Sequence, residues 1–291
     1  MAGSGSLGRR PRMAAAEVRE QALRTALEWV LDEGLVVSMD HISLEAVIAR
    51  AEVPRSAVHR LWPRKEQFFG DLLIRLATHR ASQPTMFDSG ALRKAIDTGL
   101  EYRDGIHDAR VRFIAVVEVC RQASIENFED NLRRSDWKTY LALSATALSF
   151  PDDIGVQLRA AIDDSERKYA AGMAAFYALM SELGGRRIRE AFSGERAGRQ
   201  AFEMLASVTS AAMEGMVLRS ASTADNQPSL IRQTEMVDPF DTGSVRPWNG
   251  PAILFTSTFL SMTEPVEDYA LDPIAIGERL DALAEWISAA E

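Results

Sequence analysis

Between residues 55 and 65 the chain carries Arg55, Ser56, His59, Arg60, Arg64 and Lys65. These guanidinium, hydroxyl, imidazole and ammonium groups are donors suited to phosphate oxygens and the edges of nucleic-acid bases. An α-helical advance of about 100° per residue gathers Arg55, Ser56, His59 and Arg60 on one side. It gathers Ala57, Val58, Leu61 and Trp62 on the other, a surface fit to pack against a neighbour. Arg64 and Lys65 follow where a further helix should begin. Cations are unfavourable at that end of a helix, which carries partial positive charge. A docked phosphate would resolve the conflict.

Two short helices must position this face. Ser43 is a favourable N-cap. Leu44, Val47, Ile48 and Ala51 then repeat at i, i+3, i+4 and i+7, one apolar stripe. Pro54 suits the first turn of the second helix. Two helices joined by about three residues follow the helix-turn-helix plan. The same pattern also serves a helical pair in an ordinary core, with Arg and His merely in water.

Upstream, Val18, Ala22, Ala26 and Val30 predict a helix over 14–33 that Gly34 ends. Downstream, Phe69, Leu72, Leu73 and Leu76 predict an inward face for a helix over 63–79. Residues 1–13 read as a flexible basic arm with Arg9, Arg10 and Arg12, which either reaches a minor groove or touches nothing. Gly3, Gly5 and Gly8 match G-x-G-x-x-G, but no strand can precede residue 3, so the match is empty.

On these residues, 15–80 resemble the DNA-binding domain of TetR-type transcriptional repressors. Ala26, Leu27 and Gly34 resemble the family's first helix and its terminating glycine. Ala51 through Glu66 resembles its turn, recognition helix and fourth-helix start. The departures are Glu52 in place of Gly, Pro54 in place of Ser, His59 in place of Tyr, Trp62 in place of Phe and Arg64 in place of Ser. Glu52 strains the turn if its position needs a positive φ. The resemblance implies a homodimer that binds a double-stranded DNA operator and is released by a small-molecule effector. The DNA contacts assigned on this basis are Ser43, Arg55, Ser56, Ala57, His59, Arg60, Arg64 and Lys65.

The chain's 291 residues predict one large or two modest domains, and its net charge of −9 looks wrong for a DNA binder. The distribution resolves this: residues 1–80 carry +2 and residues 81–291 carry −11. Within 50–65, Arg50, Arg55, Arg60, Arg64 and Lys65 face only Glu52. The basic footprint is therefore local.

The rest of the chain predicts an all-α protein. A helix-turn-helix domain over 14–80 is followed by a helical ligand-binding and dimerisation domain over 81–220. Helices are expected near 91–104, 106–124, 127–148, 152–183 and 198–220. The resemblance places the dimer bundle in the last two. A C-terminal extension over 221–291 has no counterpart in the family plan. Within it, 221–250 reads as a long tether, 251–262 as helix or strand, and 273–290 as an amphipathic helix with Ile276, Leu280, Leu283 and Ile287 on one face.

Tyr102, Phe113, Val117, Trp137, Tyr140, Met173, Phe176, Tyr177 and Met180 are the candidates to line a mostly apolar effector pocket. The same residue types make ordinary cores. No Walker A loop, H-E-x-x-H or G-x-S-x-G is present, and the four histidines lack metal-ligand spacing, so no enzyme, cofactor or metal is expected. The single Cys120 serves as packing or as a redox sensor. The longest uninterrupted apolar run, Tyr169–Met180, is too short to span a bilayer, so a cytoplasmic protein without a membrane partner is expected. A helical ligand-binding or scaffold protein without DNA binding, and a helical-bundle enzyme, are the alternatives.

Overall fold

The computed structural model describes residues 13–34, 42–82, 89–150, 152–223, 231–269, 278, 279 and 281. The protein is mostly helical, as the sequence predicts, and divides into two compact units. The first comprises residues 1–79 and 135–163, the second 80–134 and 164–291.

The first unit begins with α1 (Ala15–Glu33), α2 (Leu44–Arg50), α3 (Arg55–Leu61) and most of α4 (Lys65–Ser82). Gly34 ends α1 at φ 85°, donating its N–H to the Val30 carbonyl at 2.8 Å. Ser43 caps α2 by accepting from the Ala46 N–H at 3.0 Å. Val18, Ala22, Ala26 and Val30 form the buried face of α1, and Leu72, Leu73 and Leu76 that of α4. Both faces pack with α7 (Ser135–Ala147) and the early part of α8 (Asp152–Leu183). Leu143, Ala147 and Leu158 join that core, and α4 approaches α8 so closely that a Cβ on Gly70 would lie 2.7 Å from Ile154. Residues 135–163, placed by sequence in the ligand domain, thus pack with the helix-turn-helix segment, because their apolar faces bury there.

The second unit centres on α6 (Ala109–Arg133). The sequence predicts separate helices over 106–124 and 127–148. Instead α6 runs through, starting where Asp108 accepts from the Arg110 and Val111 N–H groups at 2.7 and 3.1 Å. No Gly or Pro interrupts 124–127, and Phe128 stays fully buried, so the chain turns extended only at Arg134. Around α6 pack α5 (Ser89–Glu101), α10 (Glu203–Ala221) and α11 (Gly250–Met262).

The unit also holds two antiparallel ribbons: β1 (Arg186–Ile188) with β4 (Thr263–Pro265), and β2 (Glu235–Val237) with β3 (Arg246–Trp248). Ile188 lies opposite Thr263, and Glu235 opposite Trp248. The described part of the expected tether is therefore built structure. Asp238 closes the β2–β3 loop by accepting from the Thr242 N–H at 2.8 Å and the Gly243 N–H at 2.7 Å. Residues 224–230 lie outside the described set, as do Ile276, Leu280, Leu283 and Ile287 of the expected terminal helix and Arg9, Arg10 and Arg12 of the arm. Glu278, Arg279 and Asp281 are helical and exposed, and Arg279 pairs with Glu182 at 2.6 Å.

Trp248 is buried against Val117 and Ala252, which fastens the extension to α6. Beside it Glu118 and Arg121, 6% and 9% exposed, form an ion pair at 2.7 Å. Arg121 also donates to the Pro247 carbonyl at 3.0 Å, and Arg246 lies 3.8 Å from Glu118. Cys120 is buried and its thiol is pushed up to about 12 by desolvation, which favours the packing role. Among the described residues Gly198–Ala221 is long and apolar enough to cross a membrane by length and composition, a feature that a search for uninterrupted apolar runs passes over. Leu205, Met213 and Val217 of that stretch are buried in the protein.

Replacing Glu118 by Ala strands a buried guanidinium, and such a loss costs about 3–5 kcal/mol. Urea unfolding of the variant should show it; a loss below about 1 kcal/mol would mean that the pair is effectively solvated. The native thiol of Cys120 should resist a thiol reagent at about pH 8 and react once the chain is unfolded, since only the thiolate attacks. Rapid labelling of the folded protein would contradict the burial.

Candidate nucleic-acid interface

The helix α3 divides as its periodicity predicts. Val58 and Trp62 are buried, with Ala57 and Leu61 half-buried against the same core. Arg55, Ser56, His59 and Arg60 are exposed. Ala57, assigned a DNA contact from sequence, thus spends much of its surface on packing. Ser43 spends its oxygen on the α2 cap and keeps its hydroxyl proton for another partner.

The orientation of α3 is held from its C-terminal end. The indole N–H of Trp62 donates to Asp71 on α4 at 2.6 Å, and Arg19 on α1 pairs with the same carboxylate oxygen at 2.8 Å. The Trp62 ring meets Phe68 edge to face, centroids 5.1 Å apart. Gln21 on α1 donates to the Ala51 carbonyl at 2.7 Å and so pins the α2–α3 turn. Within that turn Glu52 sits at φ 52°, the left-handed conformation that a Gly would enter freely.

Tertiary contacts sort the five cations of 50–65 into two groups. Arg50 lies over the Trp29 ring at 4.8 Å, a cation–π contact. Arg55 pairs with Glu45 on α2 at 3.0 Å. His59 joins them through Nε2, which lies 3.4 Å from Arg55 Nε and 3.3 Å from the Glu45 oxygen. A bare Nε2 accepts from Arg55, whereas a protonated one donates to Glu45, so these two bonds are alternatives. Both members of the Arg55–Glu45 pair are more than half exposed, so the pair is weak and open to exchange. Arg60, Arg64 and Lys65 are exposed, and among the described residues no carboxylate lies within 4.0 Å of them. The Arg64 N–H donates to Gln67 Oε1 at 3.3 Å, so the Gln67 side chain satisfies one free N–H at the start of α4. Glu45 is the member of the site that the sequence reading missed. Its position in the first turn of α2, on the helix preceding the basic face, was the available signal.

The candidates for an effector pocket do not converge on one cavity. Tyr140 is buried in the first unit, and Trp137 lies on α7 with its side chain outside the described set. Met173, Phe176 and Tyr177 belong to a cluster with Phe202, Leu205 and Phe259. Tyr102 and Met180 pack with Ile96 and Leu183, and Phe113 and Val117 with Trp248. The hydroxyl of Tyr177 is 3.5 Å from Thr209 Oγ1, and burial pushes its pKa up. Among the described residues no group of His, Cys, Asp and Glu could hold a metal.

The chain matches no protein-family model, no curated protein and no solved structure. The class of site therefore rests on the side chains themselves.

Replacing Glu52 by Gly should stabilise the protein. Left-handed strain of about 1–2 kcal/mol is relieved, and the freer unfolded chain returns about 0.4–1 kcal/mol. The net is a gain of about 0.5–1 kcal/mol in urea unfolding. A destabilised variant would show that Glu52 holds its place by contacts rather than under strain.

Proposed function

We propose that the protein is a sequence-specific, homodimeric DNA-binding regulator, a repressor released by a small molecule, with α3 as its reading helix. One observation carries this reading: Arg60, Arg64 and Lys65 stand exposed at the end of α3 and the start of α4, with no carboxylate partner among the described residues. Cations without internal partners are free to exchange their counterions for phosphates. Arg55 and His59, lightly held by Glu45, are available beside them for base edges. The resemblance of 15–80 to TetR-type domains points the same way.

The dimer finds support in α10. Met204, Val208 and Leu218 are exposed apolar side chains. With Ala211 and Gly215 they alternate at spacings of four and three, the seam of a helix pair. A Cβ on Gly215 would meet nothing within 4 Å, which leaves room for a second backbone. A two-fold dimer reads a two-fold site. Release by an effector requires that it bind better to a conformer whose reading helices are misspaced, and DNA must then weaken the effector by the same factor.

Selection of bound genomic fragments, followed by anisotropy titration and sizing, tests the reading. A near-palindromic site bound by a dimer is the expected result; a monomer without preference among fragments would defeat it. Arg60→Ala should relax specificity and cost about 1–3 kcal/mol on the selected site. Lys65→Ala should weaken selected and random DNA alike and lower the salt slope by about one unit per half-site. Equal behaviour of the two variants would remove the division of roles.

A further inference from the structure

At the end of α8 lies a cleft of about 570 Å³ that none of the assignments above uses. The end of α8, strand β1, residues within 193–202 and the segment 266–269 line it, and it is open to solvent. Ala178, Ile188, Ala201, Phe202 and Val266 give it an apolar lining. Its volume falls within the range of small-molecule sites.

The charged lining is uneven. Three arginines, Arg186, Arg187 and Arg196, and two carboxylates, Glu182 and Asp268, line the cleft. Arg187 is already paired with Glu264 at 2.9 Å, Glu182 with Arg279 at 2.6 Å, and Arg196 lies 3.8 Å from Glu203. Arg186 differs from these. It is half-buried and donates Nε to Thr263 Oγ1 at 2.8 Å and Nη2 to the Thr263 carbonyl at 3.0 Å. No carboxylate lies within 4.0 Å of it among the described residues, and its Nη1 donates to none of them. Burial lowers its pKa, and the attraction of Glu264, which lies beyond ion-pair distance, offsets this only in part. Thr263 fixes the guanidinium in place, so little side-chain freedom is left to lose when a ligand binds.

We infer that this cleft binds a small organic monoanion, a carboxylate with an apolar chain, whose charged head meets Arg186 and whose chain lies along Ala201 and Phe202. One cation without an ion-pair partner among the described residues, beside the carboxylate of Asp268, matches one negative charge better than a phosphate's two. The inference is independent of DNA binding, because the site is defined and measured without DNA.

Calorimetric titration of the full chain with octanoate, and with 1-octanol as the uncharged chain of equal length, tests it. The expected result is one octanoate per chain, with 1-octanol weaker by about tenfold or more, the worth of a hydrogen bond to a charged group. Arg186→Gln should abolish that preference for the anion. Ala197→Trp, at the exposed rim, should block both ligands while leaving Arg186 and its Thr263 bonds intact, so it decides the matter even if the Arg186 variant misfolds. Absence of octanoate binding, equal affinity for the two ligands, or undiminished octanoate binding by the Ala197 variant would each overturn the proposal.

Discussion

The buried pair of Glu118 and Arg121 is the constraint on which the second unit depends. Two opposite charges on one helix face cannot be withdrawn from water unless their remaining hydrogen-bonding capacity is met. Arg121 donates Nε and Nη2 to Glu118, the latter at 2.7 Å, which leaves Nη1 without an acceptor on α6, and the Pro247 carbonyl accepts from it at 3.0 Å. The helix α6 is therefore complete only when β3 lies across it. Trp248, the next residue, then buries its ring beside Val117, and α11 follows directly onto α6. Residues 231–269 belong to the core of the unit on this account.

A second charged knot organises the first unit. Asp71 receives the Trp62 indole at 2.6 Å and the Arg19 guanidinium at 2.8 Å, so one carboxylate joins α1, the end of α3 and α4. Its consequence is directional. Fixing Trp62 on the inner side fixes Arg55, Ser56, His59 and Arg60 on the outer one. The docking of Gln21 on the Ala51 carbonyl holds the other end of α3, next to the left-handed Glu52. A reading helix needs this kind of fixation, since a face that rotates freely cannot discriminate between bases.

The charge distribution ties the two knots to the proposed function. A chain of net charge −9 is repelled by DNA as a whole, and attraction must come from a local patch. The patch is smaller than the sequence implies. Arg50 is spent on Trp29 and Arg55 is lightly held by Glu45, which leaves Arg60, Arg64 and Lys65.

Local sequence determined the helices of the first unit and which faces they bury. Val18 to Val30, the Ser43 cap, the Gly34 stop and the Val58–Trp62 stripe act within one or two helical turns, so their spacing is visible without the rest of the chain. The same holds for the suspicion about Glu52, whose φ of 52° follows from the turn alone. Only the tertiary structure decided what pairs across long separations. Arg187 meets Glu264 and Arg186 meets Thr263, each 77 residues away, and Arg121 meets Pro247 at a separation of 126. Residues 135–163 join the first unit and the aromatic candidates scatter among separate clusters for the same reason. Periodicity tells which face of an element must be buried; which partner buries it depends on shape and charge brought together by the whole chain.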